Sequence, residues 1–354
     1  MLNIEENNPT TSSDARASIA SIARQAGVST ATVDRVLNGR PGVRAATAQR
    51  VLKTAAEQGY LPDSDLYKAT QAPAMRVMFL LPSGMNRYLN MLGDYAGSAH
   101  EQLDRYNVHC RSRYVDGFDP QKLAETLLRE SKHADGIAFM ALEHPVVREA
   151  VNILAERGVH TVTLISDLSR AARKAYVGLD NRAAGRSAGL LMGRFVGPRA
   201  GKVAMIAGSR YYRGHEEREM GFQHILEEKF PALDLVGLRE GRDDAATNYR
   251  QSRLLLEQYP DLVGIYNIGG ASDGVAKAMK EAGRDQNIIF IGHGLTPDTR
   301  ALLIDGSMDA LLNQNLHQTV VNTVRIFANV RDGLEPMTGI EPTQISVIFS
   351  ENLP

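Results

Sequence analysis

The spacing of apolar positions divides the chain into two kinds of pattern, which meet near residue 75. In the first, Ile19, Ile22, Ala23 and Ala26 form a stripe at helical spacing. Gly27 follows where a sharp interhelix turn needs a left-handed residue, Val28 plugs the corner, and Ser29 offers a hydroxyl cap to the next helix. That helix turns Thr32, Val33, Val36 and Leu37 inward and Thr30, Ala31, Asp34, Arg35 and Asn38 outward. A third helix carries Ala48, Val51, Leu52, Ala55 and Ala56 on its buried face and stops at Gly59. The pattern predicts a compact trihelical, helix-turn-helix unit over residues 17–62.

In the second pattern, short apolar runs alternate with amphipathic stretches. The runs predict strands at 76–81, 136–142, 161–165, 202–208, 264–268, 288–292, 310–312 and 344–349. Between them, helices are expected at 121–128, 145–155, 182–195, 215–229, 271–282 and 316–330, among others. Continuous apolar strands separated by helices imply parallel sheets covered on both faces, and such sheets bind ligands outside their carboxyl ends. The fold class expected is an all-α helix-turn-helix head followed by an α/β body of two doubly wound lobes that enclose a small molecule. Residues 75–350 make the body, with lobe 1 at about 75–179 and 314–340 and lobe 2 at about 180–313 and 341–350.

Length and composition narrow the function. A chain of 354 residues with 43% hydrophobic side chains suits a small head plus a body of about two domains. Residues 1–16 are polar and aperiodic and read as a disordered tail, without the basic start and apolar core of a signal peptide. No run approaches the roughly 18 apolar residues of a membrane span. Cys110 is the only cysteine, and the nine histidines show no metal-ligand spacing, so no disulfide, metal or cofactor is expected. Together these point to a cytoplasmic protein.

Charge is unevenly placed. Residues 17–62 hold Arg24, Arg35, Arg40, Arg44, Arg50 and Lys53 against Asp34 and Glu57, a net of about +4 in a chain whose total is −1. The cationic footprint for double-stranded DNA therefore lies on the helical head. Arg35 has the geometry to read guanine in the major groove, and Thr30 and Ala31 sit at the helix start, where a thymine methyl is within reach. Asp34 is unusual on such a face: it either accepts from cytosine, orients Arg35 or repels phosphate.

The run AGVSTATVDRV, together with Asn38 and the closing YLP, resembles the lactose-repressor (LacI/GalR) family of transcriptional regulators. The resemblance implies base-reading roles for Thr30, Ala31 and Arg35 and phosphate contacts for Ser29 and Asn38. Asp34 departs from the family serine, and Arg44 stands where a serine or threonine caps the third helix. In the linker, residues 63–74, the family places a leucine that wedges into the minor groove; here Ala69 takes that position and Leu66 is the only aliphatic candidate, one helical turn early. Either Leu66 substitutes in a shifted register, or the operator is not kinked in the family manner.

The body resembles periplasmic sugar-binding proteins, closest to the ribose-binding subgroup. By position that resemblance implies a cleft containing Asn86, Tyr88, Ser166, Asp167, Asp180, Arg218 and Gln314, suited to a small sugar or polyol. An aspartate expected after the strand ending in IFIG is replaced at Gly294, with His293 the nearest polar residue, and an asparagine expected near Gly269 leaves Asn267 two positions away. Without tryptophan, stacking falls to Tyr88, Tyr211 or Tyr212. Plainer readings stand beside these: Asp180 and Asn181 as a helix cap, Arg218 as part of a solvated ion-pair face, and Tyr211 and Tyr212 as rim or dimer contacts.

The function expected is a homodimeric transcriptional regulator, by resemblance a repressor, that binds a palindromic operator and a sugar or polyol effector. Two alternatives remain: an enzyme acting on a sugar-like substrate, for which NIGGASDG gives only a weak phosphate-loop signal, and a secreted solute-binding protein.

Overall fold

A computed structural model describes residues 18–38, 40, 42–60, 74–84, 86–99, 103 and 106–354. The tail at 1–16, Leu66, Ala69 and all of the linker except Ala74 lie outside the described residues.

The head contains α1 (Ile19–Ala26), α2 (Thr30–Leu37) and α3 (Ala45–Glu57). Ser18 and Ser21 cap α1 reciprocally, and Gly27 ends it at φ 65°, a conformation open to glycine at little cost. Ser29 caps α2 by accepting from the Thr32 amide at 3.2 Å. Arg44 precedes α3 without a side-chain cap, so the family departure leaves that helix start uncapped by its own residue. Ile22, Val33, Val51 and Ala55 are completely buried at the centre of the three helices.

The body holds two sheets. The first is formed by β1 (Met75–Ser83), β2 (Val108–Asp116), β3 (Gly136–Phe139), β4 (His160–Leu164) and β5 (Ala175–Val177), all parallel, in the order β2-β1-β3-β4-β5. The second is formed by β6 (Gly201–Ala207), β7 (Leu233–Glu240), β8 (Leu262–Asn267), β9 (Ile289–His293), β10 (Ala310–Asn313) and β11 (Ser346–Ile348), in the order β11-β10-β9-β8-β6-β7. Only β11 runs antiparallel. Helices α4 (Arg87–Ser98), α5 (Pro120–Glu130) and α6 (Pro145–Glu156) belong to the first lobe. Helices α7 (Asn181–Val196), α8 (Arg213–Lys229), α9 (Ala245–Gln258), α10 (Ser272–Glu281) and α11 (Pro297–Ile304) belong to the second. After β10 the chain returns to the first lobe as α12 (Leu316–Arg331), then crosses back to supply β11.

Every strand read from the sequence is present, and three others are not among those read: β2, β5 and β7. Each is a sheet edge or lies next to nothing on one side. β2 reads VHCRSRYVD and β7 reads LDLVGLRE, and their polar positions face solvent, which removes the apolar run that marks a central strand.

Each sheet reverses its winding direction beside its first strand, between β1 and β3 in one lobe and between β6 and β8 in the other. At such a point the loops at the carboxyl ends diverge and leave a crevice.

Candidate functional site

The exposed face of α2 carries Thr30, Ala31 and Arg35, with Ser29 and Asn38 exposed at its two ends. Asp34 is half-buried and its carboxylate is engaged: it accepts from Asn38 Nδ2 at 2.8 Å and pairs with Arg40 at 3.2 Å. Asn38 Nδ2 also donates to the Asp34 carbonyl at 2.9 Å, which closes the end of the helix. Asp34 therefore fixes Asn38 and Arg40, a role the sequence reading did not assign to it.

In the body, a narrow cleft with a cavity volume of about 60 Å³ opens at the carboxyl ends of both sheets. Asn86, Tyr88 and Leu89 follow β1, Met140 follows β3, Ile165 follows β4 and Leu179 follows β5. From the other lobe come Ile268, Gly269 and Gly270 after β8, His293 and Gly294 at the end of β9, Leu312 and Gln314 from β10 and its end, and Arg218 from α8. Four polar residues expected by resemblance at the start of the cleft or across from it are thus brought together: Asn86, Tyr88, Arg218 and Gln314. His293 joins them.

Arg218 is not on a solvated face. It is 6% exposed, its Nε donates to Asn181 Oδ1 at 2.8 Å and its Nη1 to the Ile268 carbonyl at 2.9 Å. Asn181 is itself held by donating to the Ile165 carbonyl at 3.1 Å and to the Tyr176 hydroxyl at 3.0 Å. Tyr88 donates to the Gln314 carbonyl at 3.0 Å, and burial pushes its phenol well above the ordinary range. Gln314 Nε2 donates to the Thr319 hydroxyl at 2.8 Å. His293 Nε2 and the Tyr266 hydroxyl lie 2.7 Å apart, and burial, reinforced by the positive charge of Arg218, holds this imidazole well below its usual pKa and so neutral.

Four expected ligand residues lie elsewhere. Ser166 is 1% exposed and accepts from the Gly214 amide at 3.3 Å. Asp167 pairs with Arg173 and accepts from the Thr163 hydroxyl at 2.6 Å, facing a separate groove. The cause is Ile165, whose φ of 64° turns the chain so that Ile165 itself lines the cleft while the next two residues point away. Asp180 is exposed and caps α7, accepting from the Ala183 amide at 2.9 Å. Asn267 is fully buried, donating to the Gly270 carbonyl and the Ser272 hydroxyl, each at 2.9 Å, beneath the cleft floor. Of the aromatic candidates, Tyr88 lines the cleft, Tyr211 is 51% exposed, and Tyr212 is buried with its hydroxyl donating to the Gly117 carbonyl at 2.5 Å.

The sequence reading missed Asp243. It is 7% exposed and joins the lobes, accepting from Asn86 Nδ2 at 2.9 Å and from the Gly270 amide at 2.7 Å. It follows β7, the edge strand that was also missed, and both Arg242 and Asp243 adopt positive φ there, at 54° and 51°. Their sequence, EGRDD, carries no apolar marker.

Comparison with known proteins agrees with this geometry. Residues 18–63 match the family described as bacterial regulatory proteins, lacI family, and residues 97–335 match the periplasmic binding protein domain. The chain belongs to the lacI family of bacterial regulatory proteins, built on a periplasmic binding protein domain. Similar curated members of this family include the HTH-type transcriptional regulator MalR of Clostridium butyricum, 23% identical over 77% of this chain and 82% of that protein. Catabolite control protein A of Streptococcus mutans is 23% identical over 83% of this chain and 82% of its own. For the body, GanP, a glucose-galactose binding protein from Geobacillus stearothermophilus, superposes with a TM-score of 0.70 at 22% identity, covering 79% of this chain and 99% of that one. As a lacI-family regulator the chain binds DNA through its head and carries a ligand-binding type of domain behind it. Among the described residues no cluster of histidine, cysteine or carboxylate side chains could hold a metal, and no helix is long and apolar enough to cross a membrane.

Proposed function

We propose that this DNA-binding regulator acts as a homodimeric repressor whose operator affinity is set by a small polyol-like effector held between the lobes of its body. The observation that carries the reading is the pairing of two surfaces on one chain: an exposed α2 face with Thr30, Ala31 and Arg35 on a basic head, and a cleft with Asn86, Arg218, His293 and Gln314 at the carboxyl ends of two parallel sheets. A dimer presents two such heads to the half-sites of a palindrome about one helical turn apart. Effector binding favours one lobe arrangement, and couplings of this kind are typically ~1–3 kcal/mol. A cytoplasmic location follows from the DNA partner.

Binding rather than catalysis suits the cleft. Its polar side chains are held by hydrogen bonds to the protein, as Asn86 by Asp243, Arg218 by Asn181 and Gln314 by Thr319, and much of its wall is aliphatic. Nothing in it pairs a nucleophile with a base. Selection of genomic fragments by the purified protein, read by sequencing, tests the proposal. Enrichment of a short palindrome supports it; failure to enrich any sequence, with and without a panel of polyols, overturns it.

A further inference from the structure

The cleft contains one charge and no matching one. None of the residues that line it is a carboxylate. Arg218 bonds to the protein through Nε and Nη1 only; among the described residues Nη2 has no partner, and no acidic side chain forms an ion pair with the guanidinium. Asp243, an acid packed against Gly269, is already committed to Asn86 and the Gly270 amide. His293 and His215, the two imidazoles that feel the Arg218 charge, are both held neutral, each chiefly by burial.

Arg218 is nine-tenths buried while its open donor faces the cleft, so an anion that enters there gains a charge-assisted pair in a low-dielectric setting. The remaining lining limits what that anion carries. Leu89, Met140, Ile165, Leu179, Ile268 and Leu312 offer no side-chain hydrogen bonds, the amides of Asn86 and Gln314 each give one of their two N–H groups to the protein, and the Asn86 oxygen accepts from the Leu89 amide. A neutral sugar with a hydroxyl on every carbon finds few partners here. A phosphate, with about two charges, finds a single cation.

Resting on the proposed effector role of this cleft, we infer that the ligand is a small hydroxy carboxylate, a short sugar acid rather than a neutral sugar, with its carboxylate paired to Arg218. The Nη2 edge of the fork donates to the carboxylate, the free oxygen of the Gln314 amide accepts from a hydroxyl, and the carbon chain lies on the aliphatic wall.

The test is binding calorimetry on the full-length protein with matched pairs that differ in the acid group: glycerate and glycerol, threonate and threitol, gluconate and glucitol, with inorganic phosphate and glucose as further probes. At least one acid should bind roughly tenfold to a hundredfold tighter than its neutral partner, the range expected for a charge-assisted pair. Arg218→Gln should abolish that difference, and Arg218→Lys, which keeps the charge but loses the fork, should retain part of it. The comparison of pairs on the unaltered protein needs no variant to fold. Equal or tighter binding of the neutral members, of glucose or of phosphate overturns the inference, as does failure of every acid to bind. Operator enrichment by the same preparation judges the regulator reading separately, so the two fail independently.

Discussion

Asn86 and Asp243 are 157 positions apart in sequence, yet the Asn86 amide donates to the Asp243 carboxylate at 2.9 Å and so ties the loop after β1 to the loop after β7. The two residues come from opposite lobes. Arg87 and Asp298, 2.6 Å apart, and Arg242 stacked 5.3 Å from the Phe118 ring centre, close the same mouth. The Gly117 carbonyl that receives the Tyr212 hydroxyl lies beside them. The lobes are thus held together by a few polar contacts around an aliphatic interior. Asn86→Ala leaves Asp243 with the Gly270 amide alone and should shift the balance toward an open body by about 0.5–1.5 kcal/mol. Small-angle scattering should show a larger radius of gyration for the variant; an unchanged profile would show that the other contacts suffice.

Arg35 stands exposed on the outer face of α2, the face proposed to meet DNA. Arg35→Ala should cost ~1–3 kcal/mol of operator binding and relax specificity at a single base position. Binding measured across a library of single-base operator variants checks this. Uniform weakening on every sequence would make Arg35 a phosphate contact instead.

The position of Arg218 depends on how closely α7 and α8 approach. A β-carbon at Gly185 would collide with the Arg218 carbonyl, one at Gly221 with the Arg182 carbonyl, and one at Gly189 with the Ile225 side chain. Gly185→Ala gains about 1 kcal/mol of helix propensity. Against that, it forces a clash with backbone that has no rotamer to move, an overpacking cost of ~1–3 kcal/mol or more. Net destabilisation is expected in urea unfolding, together with weaker effector binding. A variant as stable as the parent would show that the two helices have room to separate.

Asp167 contributes to the acid limit of the protein. Burial works to raise its pKa, but the Arg173 guanidinium, the Thr163 hydroxyl and the Leu168 amide outweigh this and hold the carboxyl below its ordinary 3.8. A carboxyl with a lowered folded pKa stabilises the fold fully above its unfolded value, and that stability is lost as pH falls through the folded one. Asp167→Asn should therefore lower stability at neutral pH and flatten its decline below about pH 4. Urea unfolding between neutral pH and pH 3 would detect this; identical acid limbs for the two proteins would exclude it.

The helical head was fully legible in the sequence because its determinants are local. A Gly27 turn, a Ser29 cap and apolar residues three and four apart mark three short helices, and the partners that bury their apolar faces lie within the same short stretch of chain. The central strands were legible for a similar reason, since a strand buried on both faces must be apolar throughout. The edge strands β2 and β7 were not, because their polar positions meet water and break the apolar run, and β5 was not, because its three residues, though largely buried, are too few to show a period. The cleft divides in the same way. Asn86, Tyr88, Arg218 and Gln314 stand at the ends of readable elements, whereas Ser166 and Asp167 were displaced by one positive φ at Ile165, and Asp243 followed a strand that had no sequence signal. Local patterns determined which elements form and which side of each is buried. Only the folding of two sheets onto a common cleft decided which polar groups meet there and which are consumed in caps and ion pairs, because contacts across 157 residues leave no periodicity in the chain.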